Sequence, residues 1–489
     1  MNLASILNNV NTIQVTGNAE KHDIELITSK SGNVVNNSLF VAVKGLKVDG
    51  HLFIQDAVNK GAKAVVLQDD SSLPDEYFIN FDVVKILVAD SRKAFAEISN
   101  EFFGNPSKKL KLIGVTGSKG KTTTTYFIKN IIDNAGFKSG LIGTNNNLIG
   151  NKIYPTKLTT PESNIINDLM SKMVIEECKY CVMEVSSHSL DLKRVHGLDF
   201  DIAVFTNITS DHLDYHLNFE NYLKAKKIFF DELKNSAFAV INKDDKNWNE
   251  ITKDTNAVKA GYSLIDEAEI KIKNIKYDLN GTSFEIIYEN KTYVIQTELI
   301  GIFNAYNAAA AFGACVKLGI DTASIIKGIK NTSQVPGRFE VVGNGDKKVI
   351  VDYAHTADSL EKALQAVRHI VKNERPVYTV FGCGGDRDKT KRPIMGKIAN
   401  ELSDKIIVTS DNPRTEDPEI IIQDILKGVK GVKHIVEPDR ETAIKRAVMN
   451  SEENAVILIA GKGHEDYQEI NGVRNHFSDK EIAVKYLNQ

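Results

Sequence analysis

The chain has 489 residues, of which 42% are hydrophobic and 26% charged, and its formal net charge is −3. Such a length exceeds what one core can organise and suggests about three domains. The near-neutral balance gives no electrostatic reason to expect nucleic acid or an anionic membrane as partner. No segment approaches the ~18 apolar residues of a membrane span, and Met1 to Gly17 lacks a basic stretch leading into an apolar one. The four cysteines are at 178, 181, 315 and 383. Cys178-Lys-Tyr-Cys181 has neither a second pair nor a His partner, so buried free thiols and a reduced, cytoplasmic setting are expected.

In chain order, residues 1–106 carry strand-like runs at 38–44, 64–68 and 83–88, with helical segments at 56–60 and 91–103. This alternation predicts a small α/β domain, closed by the polar turn Gly104-Asn-Pro106-Ser-Lys-Lys. Residues 107–334 repeat a β-α pattern, as in a parallel sheet covered by helices, with strands expected at 111–116, 138–142, 180–185, 202–206 and 237–241. Within 268–298 the pattern becomes alternating, with turns at Asn280-Gly281 and Glu289-Asn290, which predicts antiparallel hairpins. An Ala-rich helix from 304 to 318 follows. After Ser333-Gln-Val-Pro336-Gly337, residues 335–489 resume β-α alternation, with strands at 347–352, 376–381, 404–409 and 455–460. The expected fold is α/β in three domains: a small N-terminal one, a central P-loop-type parallel-sheet ATPase domain with an antiparallel addition, and a C-terminal doubly wound, Rossmann-like domain.

The strongest chemical signal lies early in the second domain. The apolar run Lys111-Leu-Ile-Gly114-Val-Thr116 enters Gly117-Ser118-Lys119-Gly120-Lys121-Thr122-Thr123, and a helix is predicted to continue to Asn134. Strand, Gly-rich turn and helix N-terminus present backbone N–H groups to an anion, and Lys121 adds a full positive charge. Thr122 stands where a phosphate loop places a Mg²⁺ ligand. The strict G-x-x-x-x-G-K-[ST] pattern fails at Val115, so the loop is shorter on its glycine side. Gly382-Cys-Gly384-Gly385-Asp-Arg387 fails the dinucleotide pattern because position 387 is Arg.

Other candidates fall at predicted strand ends, where open parallel sheets gather ligands. Glu184 ends an apolar run ahead of Ser186, Ser187 and His188. Asp211-His212-Leu-Asp214-Tyr-His216 follows the next strand; its histidine pair has the i, i+4 spacing of a zinc motif, but Leu213 stands where that motif has Glu and no thiol is near. In the third domain the strand ends carry Asp352-Tyr-Ala-His355, Arg387, Asp411-Asn412-Pro413-Arg414 and Gly461-Lys-Gly-His-Glu465. Pro413 is expected to end strand pairing and leave Arg414 at the mouth of a site. Composition alone makes Lys224, Lys226 and Lys227 a solvated helix face.

Ordered segments along the chain resemble the Mur ligase family over essentially its whole length. They are G-V-T-G-S-K-G-K-T-T-T-T (114–125), T-T-P-E (159–162), M-E-V-S-S-H-S-L (183–190), T-S-D-H-L-D-Y-H (209–216), G-I-F-N-A-Y-N (301–307), G-R-F-E (337–340), D-Y-A-H-T (352–356), F-G-C-G-G-D-R-D-K-x-K-R-P (381–393), D-N-P-R-T-E (411–416) and G-K-G-H-E-D-Y-Q (461–468). The branch most similar adds meso-2,6-diaminopimelate to UDP-N-acetylmuramoyl-L-alanyl-D-glutamate during peptidoglycan precursor synthesis. The resemblance implies ATP as co-substrate, an acyl-phosphate and then a tetrahedral intermediate, and Mg²⁺ near Thr122, Glu184 and His212. It also implies a carbamylated lysine, N6-carboxylysine, at Lys226, and a chain working as a monomer on small molecules.

By the same resemblance, ATP contacts fall on Gly117, Ser118, Lys119, Gly120, Lys121, Thr122, Thr123, Asn304, Arg338 and His355. Contacts to the UDP-muramoyl peptide fall on Ser31, Thr159, Thr160, Ser186 and Arg194. Diaminopimelate contacts fall on Arg387, Asp411, Asn412, Pro413, Arg414, Gly461 and Glu465. Three departures stand out: Lys30-Ser31-Gly32 where Asp-Ser-Arg is usual, Leu192 where the family has Gln, and Ser118-Lys119 for the commoner Thr-Asn. The family pairs D-N-P-R with diaminopimelate, and the physics agrees. Arg414 can hold a distal carboxylate through two charge-assisted hydrogen bonds, whereas lysine would bring an ammonium to an uncompensated Arg. A lysine-adding relative, a folylpolyglutamate synthase and a non-catalytic nucleotide-binding scaffold are the competing readings.

Overall fold

The computed structural model describes all residues except 46, 47, 344, 373, 432 and 433. Its strands form three large sheets in succession along the chain and one small hairpin. The first sheet orders Thr12–Thr16, Val84–Val88, Ala62–Leu67, Ser38–Val41 and Leu26–Thr28 side by side. It is parallel except at the edge strand Thr12–Thr16. Asp90 caps the helix Ser91–Phe102 by accepting from the Arg92 and Lys93 backbone N–H groups, and the helix buries Ala94, Phe95 and Ile98 against the sheet.

At the heart of the eleven-stranded second sheet, Lys111–Thr116 lies between Ile202–Phe205 and Tyr180–Glu184, parallel to both. Being buried on both faces, these strands read as continuous apolar runs. Ile270–Asp278, Gly281–Tyr288 and Lys291–Thr297 add the antiparallel hairpins that the alternating pattern predicts. The Ala-rich helix Ile302–Lys317 buries Ala305, Ala308–Ala311 and Ala314 in one cluster with Phe127, Ile128, Ile131 and Ile132 of the helix Lys121–Asn134. Its small side chains let the two helices approach closely.

The third sheet runs Glu340–Val342, Lys348–Asp352, Val456–Ala460, Val377–Phe381, Lys405–Val408 and His434–Val436, antiparallel only at its first edge. Helices cover both faces around two separate cores, so it is doubly wound. All four cysteines are buried and free. No helix among the described residues is long and apolar enough to cross a membrane.

The strands absent from the sequence reading are mostly short edge pieces, Thr12–Thr16, Leu26–Thr28, Asn147–Ile149, Lys152–Tyr154, Glu340–Val342, His434–Val436 and the hairpin Tyr467–Ile470 with Val473–His476, but they include Val258–Ser263, an interior strand of the second sheet. Thr12–Thr16 and Val473–His476 are largely exposed. Strands that bury so little carry no hydrophobic period to read.

Candidate active site

Both central strands of the second sheet deliver their carboxyl ends to one place. After Thr116 the chain turns through Gly117 (φ 149°) and Gly120 (φ 89°), backbone that L side chains rarely adopt. A Cβ at Gly117 would stand 1.9 Å from Thr206 Oγ1, and one at Gly120 would stand 2.4 Å from Asn307 Oδ1. The helix then starts at Lys121 with no side-chain cap on its first N–H groups. Uncapped donors at the positive end of a 14-residue helix make an anion site.

The loop is stiffened from all sides. Ser118 Oγ donates to Thr209 O and lies 2.8 Å from the Tyr222 hydroxyl. The Lys119 backbone N–H donates to Asn207 Oδ1, and its ammonium pairs with Asp211 at 3.0 Å. Burial lowers the Lys121 ammonium to about 8, partly offset by Glu184, and it donates to the Gly117 and Ser118 carbonyls. Thr123 is buried. Asn304 is also buried and accepts from Asn307 Nδ2 at 3.0 Å; Asn307 Oδ1 lies 3.4 Å from Thr124 Oγ1. Asn307 is three residues after Asn304 on one helix face, so its sequence signal was present.

Glu184 accepts from Thr122 Oγ1 (3.0 Å), the Thr144 backbone N–H (2.8 Å) and Thr144 Oγ1 (3.0 Å). Thr144 was missed, although it follows Ser139–Ile142 at a carboxyl end where ligand residues are to be sought. These groups supply only oxygen donors, and no cluster of three His, Cys, Asp or Glu suited to a metal exists among the described residues. That set fits Mg²⁺, which takes one or two protein oxygens and completes its shell with water and phosphate.

Lys226 behaves unlike its neighbours. Lys224 pairs with Glu220 at the surface, and Lys227 pairs with Asp231 and Asp254. Lys226 is 1% exposed, donates to Gly117 O at 3.0 Å, and sits 4.8 Å from the Tyr222 ring. Burial first, and then Lys121, push its ammonium well below the usual lysine range. His212 lies beside this group with φ 54°, its ring 4.9 Å from that of His188. Neither His212 nor Lys226 hydrogen-bonds Thr122 or Glu184.

A bridge from the third domain closes the far side. Arg338 Nη2 donates to Thr122 Oγ1 at 3.2 Å, its guanidinium stacks 4.7 Å over Tyr353, and its buried Nε has no partner. An unpaired buried donor here matches an anionic ligand. His355 bonds the Tyr353 carbonyl, and burial together with Lys119 and Lys391 lowers it to about 3.

On the other side of Glu184, Thr159 Oγ1 lies 3.0 Å from Thr144 Oγ1. Thr160 Oγ1 donates to the Glu184 carbonyl and accepts from the Ser186 backbone N–H, while Arg194 holds the Thr160 carbonyl and pairs with Glu162 at 2.8 Å. Ser31 lies apart from this group. It lines a cavity of about 460 Å³ between the first and second domains, together with Arg92, Glu162, Ser163 and Leu192.

In the third domain, Asn412 Nδ2 donates to Glu465 Oε2 at 2.8 Å. Gly461 has φ 122°, and a Cβ there would lie 2.4 Å from Asp411 Oδ2, so the position favours glycine. Arg414 and Arg387 both border Gly384, where a Cβ would stand 3.0 Å from Arg414 Nη1 and 3.9 Å from Arg387 Cγ. Arg387 is exposed, and Arg414 Nη1 donates to Gly385 O. One detail differs from the sequence reading: pairing resumes immediately after Pro413, where Arg414 bridges to Ile470 of the small hairpin. Glu465 pairs with the buried Lys462 at 3.2 Å, a residue the motif reading passed over.

Family models match the chain at residues 23–103 (Mur ligase family, catalytic domain), 115–315 (Mur ligase middle domain) and 337–463 (Mur ligase, glutamate ligase domain). UDP-N-acetylmuramoyl-L-alanyl-D-glutamate–2,6-diaminopimelate ligase 1 of Clostridium acetobutylicum is 44% identical over 493 residues, covering 100% of both chains. The ligase of the same name from Geobacillus thermodenitrificans is 44% identical over 94% of each. A solved structure of a UDP-N-acetylmuramoyl-L-alanyl-D-glutamate–2,6-diaminopimelate ligase superposes with a TM-score of 0.71 at 30% identity, covering 100% of this chain and 99% of that one. The MurF ligase of Thermotoga maritima, solved in complex with ADP, shares the fold with a TM-score of 0.64 at 19% identity, over 95% and 98% of the two chains. Three consecutive family matches on three sheets, and full-length identity well above what fold alone requires, place the chain in the Mur ligase family.

Proposed function

We propose that this chain is a cytoplasmic ligase that uses ATP to join the D-glutamyl end of UDP-N-acetylmuramoyl-L-alanyl-D-glutamate to meso-2,6-diaminopimelate. The observation that carries the reading is the third-domain constellation of Arg414, Asn412 and Glu465, on the domain that Arg338 ties to the phosphate loop. Arg414 suits a distal carboxylate and Glu465 an ammonium, which is the charge pattern of a diamino-dicarboxylic acid and not of lysine. The diaminopimelate ligases that match over the full length support the same choice.

In this reading residues 1–106 hold the uridine and muramoyl part around Ser31, residues 107–334 hold ATP, and residues 335–489 hold the incoming amino acid. The uncapped helix N–H groups, Lys121 and Arg338 neutralise the phosphates while two anions, carboxylate and polyphosphate, are brought together. Thr122 and Glu184 would hold Mg²⁺, which supplies further charge neutralisation at the transferring phosphoryl group. Thr159, Thr160, Ser186 and Arg194 orient the peptide carboxylate beside Glu184. The carboxylate attacks the γ-phosphorus of ATP and ADP leaves; the amine of diaminopimelate then attacks the resulting acyl phosphate, loses a proton, and the tetrahedral intermediate collapses to the amide by expelling phosphate. Lys226 would carry a carbamate: its neutral amine adds to CO₂ and releases one proton, turning a cation beside the phosphate loop into an anion. The depressed Lys226 ammonium supplies the neutral form that reaction requires. Phosphate release by the purified protein is expected only with ATP, the UDP-muramoyl dipeptide and diaminopimelate together. Release without an amine, or with none of these peptides, would overturn the reading.

A further inference from the structure

Lys462 is completely buried, and a buried ammonium persists only where it is paired. Its Nζ donates to Asn412 Oδ1 at 3.1 Å and to Glu465 Oε2 at 3.2 Å, with the Tyr467 ring 5.4 Å away. The Glu469 backbone N–H gives Asn412 Oδ1 a second hydrogen bond at 2.9 Å. Two donors therefore face that atom, which identifies it as the amide oxygen and occupies both its lone pairs. The amide nitrogen is left on the Glu465 side, bonded to Oε2 at 2.8 Å, with one N–H still to give. Glu465 is divided in the same way. Oε2 receives two donors, whereas Oε1 has only the Tyr353 hydroxyl at the long distance of 3.5 Å. Burial raises the Glu465 carboxyl, and Lys462 opposes that rise.

We propose that Lys462 is a positioning residue that sets the choice of amino acid. By occupying the Asn412 oxygen it makes that side chain a donor only, fit for a carboxylate, and by occupying Glu465 Oε2 it reserves Oε1 for an ammonium. The pair then accepts the distal α-amino-acid end of a diamino-dicarboxylic acid. An amine lacking the carboxylate satisfies Glu465 but leaves the Asn412 N–H and Arg414 unpaired, a loss that discriminates strongly. This inference rests on the acceptor-site reading above. Without the lysine, Asn412 Oδ1 keeps one donor in place of two, its amide is free to turn, and Glu465 loses its cation.

The test is steady-state kinetics of Lys462→Met and Lys462→Gln with diaminopimelate and with L-lysine, alongside Arg414→Ala and a thermal melt of each protein. The expected result is a KM for diaminopimelate raised about tenfold or more, with kcat at saturating amine and KM for ATP within about twofold of the parent. The preference for diaminopimelate over L-lysine should narrow by a similar factor, which a purely structural lysine would not produce. Asn412→Asp keeps the oxygen that Lys462 needs and removes the N–H, so it should raise the same KM even if the Lys462 variants fail to fold. If Arg414→Ala raises the diaminopimelate KM while folded Lys462→Met and Asn412→Asp leave KM and preference unchanged, the role of Lys462 is refuted and the acceptor site stands. If all four leave them unchanged, the acceptor-site reading falls, and this inference with it.

Discussion

Lys226 shows how much one residue's setting decides. Three lysines share one helix turn, and composition treats them alike. Only burial separates them, because Lys224 and Lys227 each find a carboxylate at the surface while Lys226 faces the Gly117 carbonyl and a tyrosine ring. Removing it should cost turnover on the order of 10- to 100-fold, the range for groups that orient a metal site. A small carboxylic acid supplied in solution should restore part of the loss in Lys226→Ala. Full activity of the untreated variant would refute the carbamate. The resemblance to a family singles out this lysine where the residue pattern does not, and the structure adds that it alone of the three is fully buried. Periodicity reports which face a helix buries, but not which buried amine lacks a counter-ion. Thr144 and Lys462 escaped for the same reason: their partners, Glu184 and Glu465 with Asn412, are set by packing that no local pattern encodes. The phosphate loop was legible because its glycines, lysine and hydroxyls are contiguous.

Strand ends are the elements that make the site, and they are held by charges behind them. Arg440 and Asp479 form a fully buried pair, with Arg440 also donating to the Ser410 and Ala460 carbonyls. Those two residues directly precede Asp411 and Gly461, so the pair fixes the spacing of the two loops that begin there. Asp479→Ala leaves the guanidinium buried without its counter-ion and should cost about 3–5 kcal/mol, read as a lowered urea midpoint of the C-terminal domain. An unchanged midpoint would show that the pair is dispensable. Asp352 ends another strand and behaves in the opposite sense. Burial raises its carboxyl to about 6 from 3.8, against the pull of Arg338. The folded state thus holds a proton that the unfolded chain has released. Its contribution is complete below 3.8 and is lost as pH rises through about 6, up to about 3 kcal/mol in all. Asp352→Asn should flatten the stability profile across that window; an unaltered slope would contradict it. The strands bearing these residues were read from sequence within a residue or two because both faces are buried. The short edges and the hairpin Tyr467–Ile470 with Val473–His476 were not, although that hairpin takes up Arg414 through Ile470.

At the scale of the molecule, three sheets bring their strand ends toward one another. The Arg338–Thr122 bond and the Asn145–Pro336 bond tie the third domain to the phosphate loop, and Asn164 reaches the Ile27 carbonyl in the first. The chain leaves the first sheet through the polar turn at 104–109 and enters the third after Pro336-Gly337, so the succession of three domains was legible. Their mutual placement was not, since it rests on contacts such as Arg338–Thr122, Asn145–Pro336 and Asn167–Asn100 that join distant parts of the chain and that no local pattern encodes. The phosphate loop is common to every reading of this chain, and the third domain distinguishes among them. The most direct measurement is therefore ATP-dependent phosphate release with the UDP-muramoyl dipeptide and a panel of amines. The account predicts turnover with meso-diaminopimelate and a loss of at least about 100-fold in kcat/KM with L-lysine, as for an amine that leaves a charged group in the site unpaired. Equal turnover with L-lysine would contradict it.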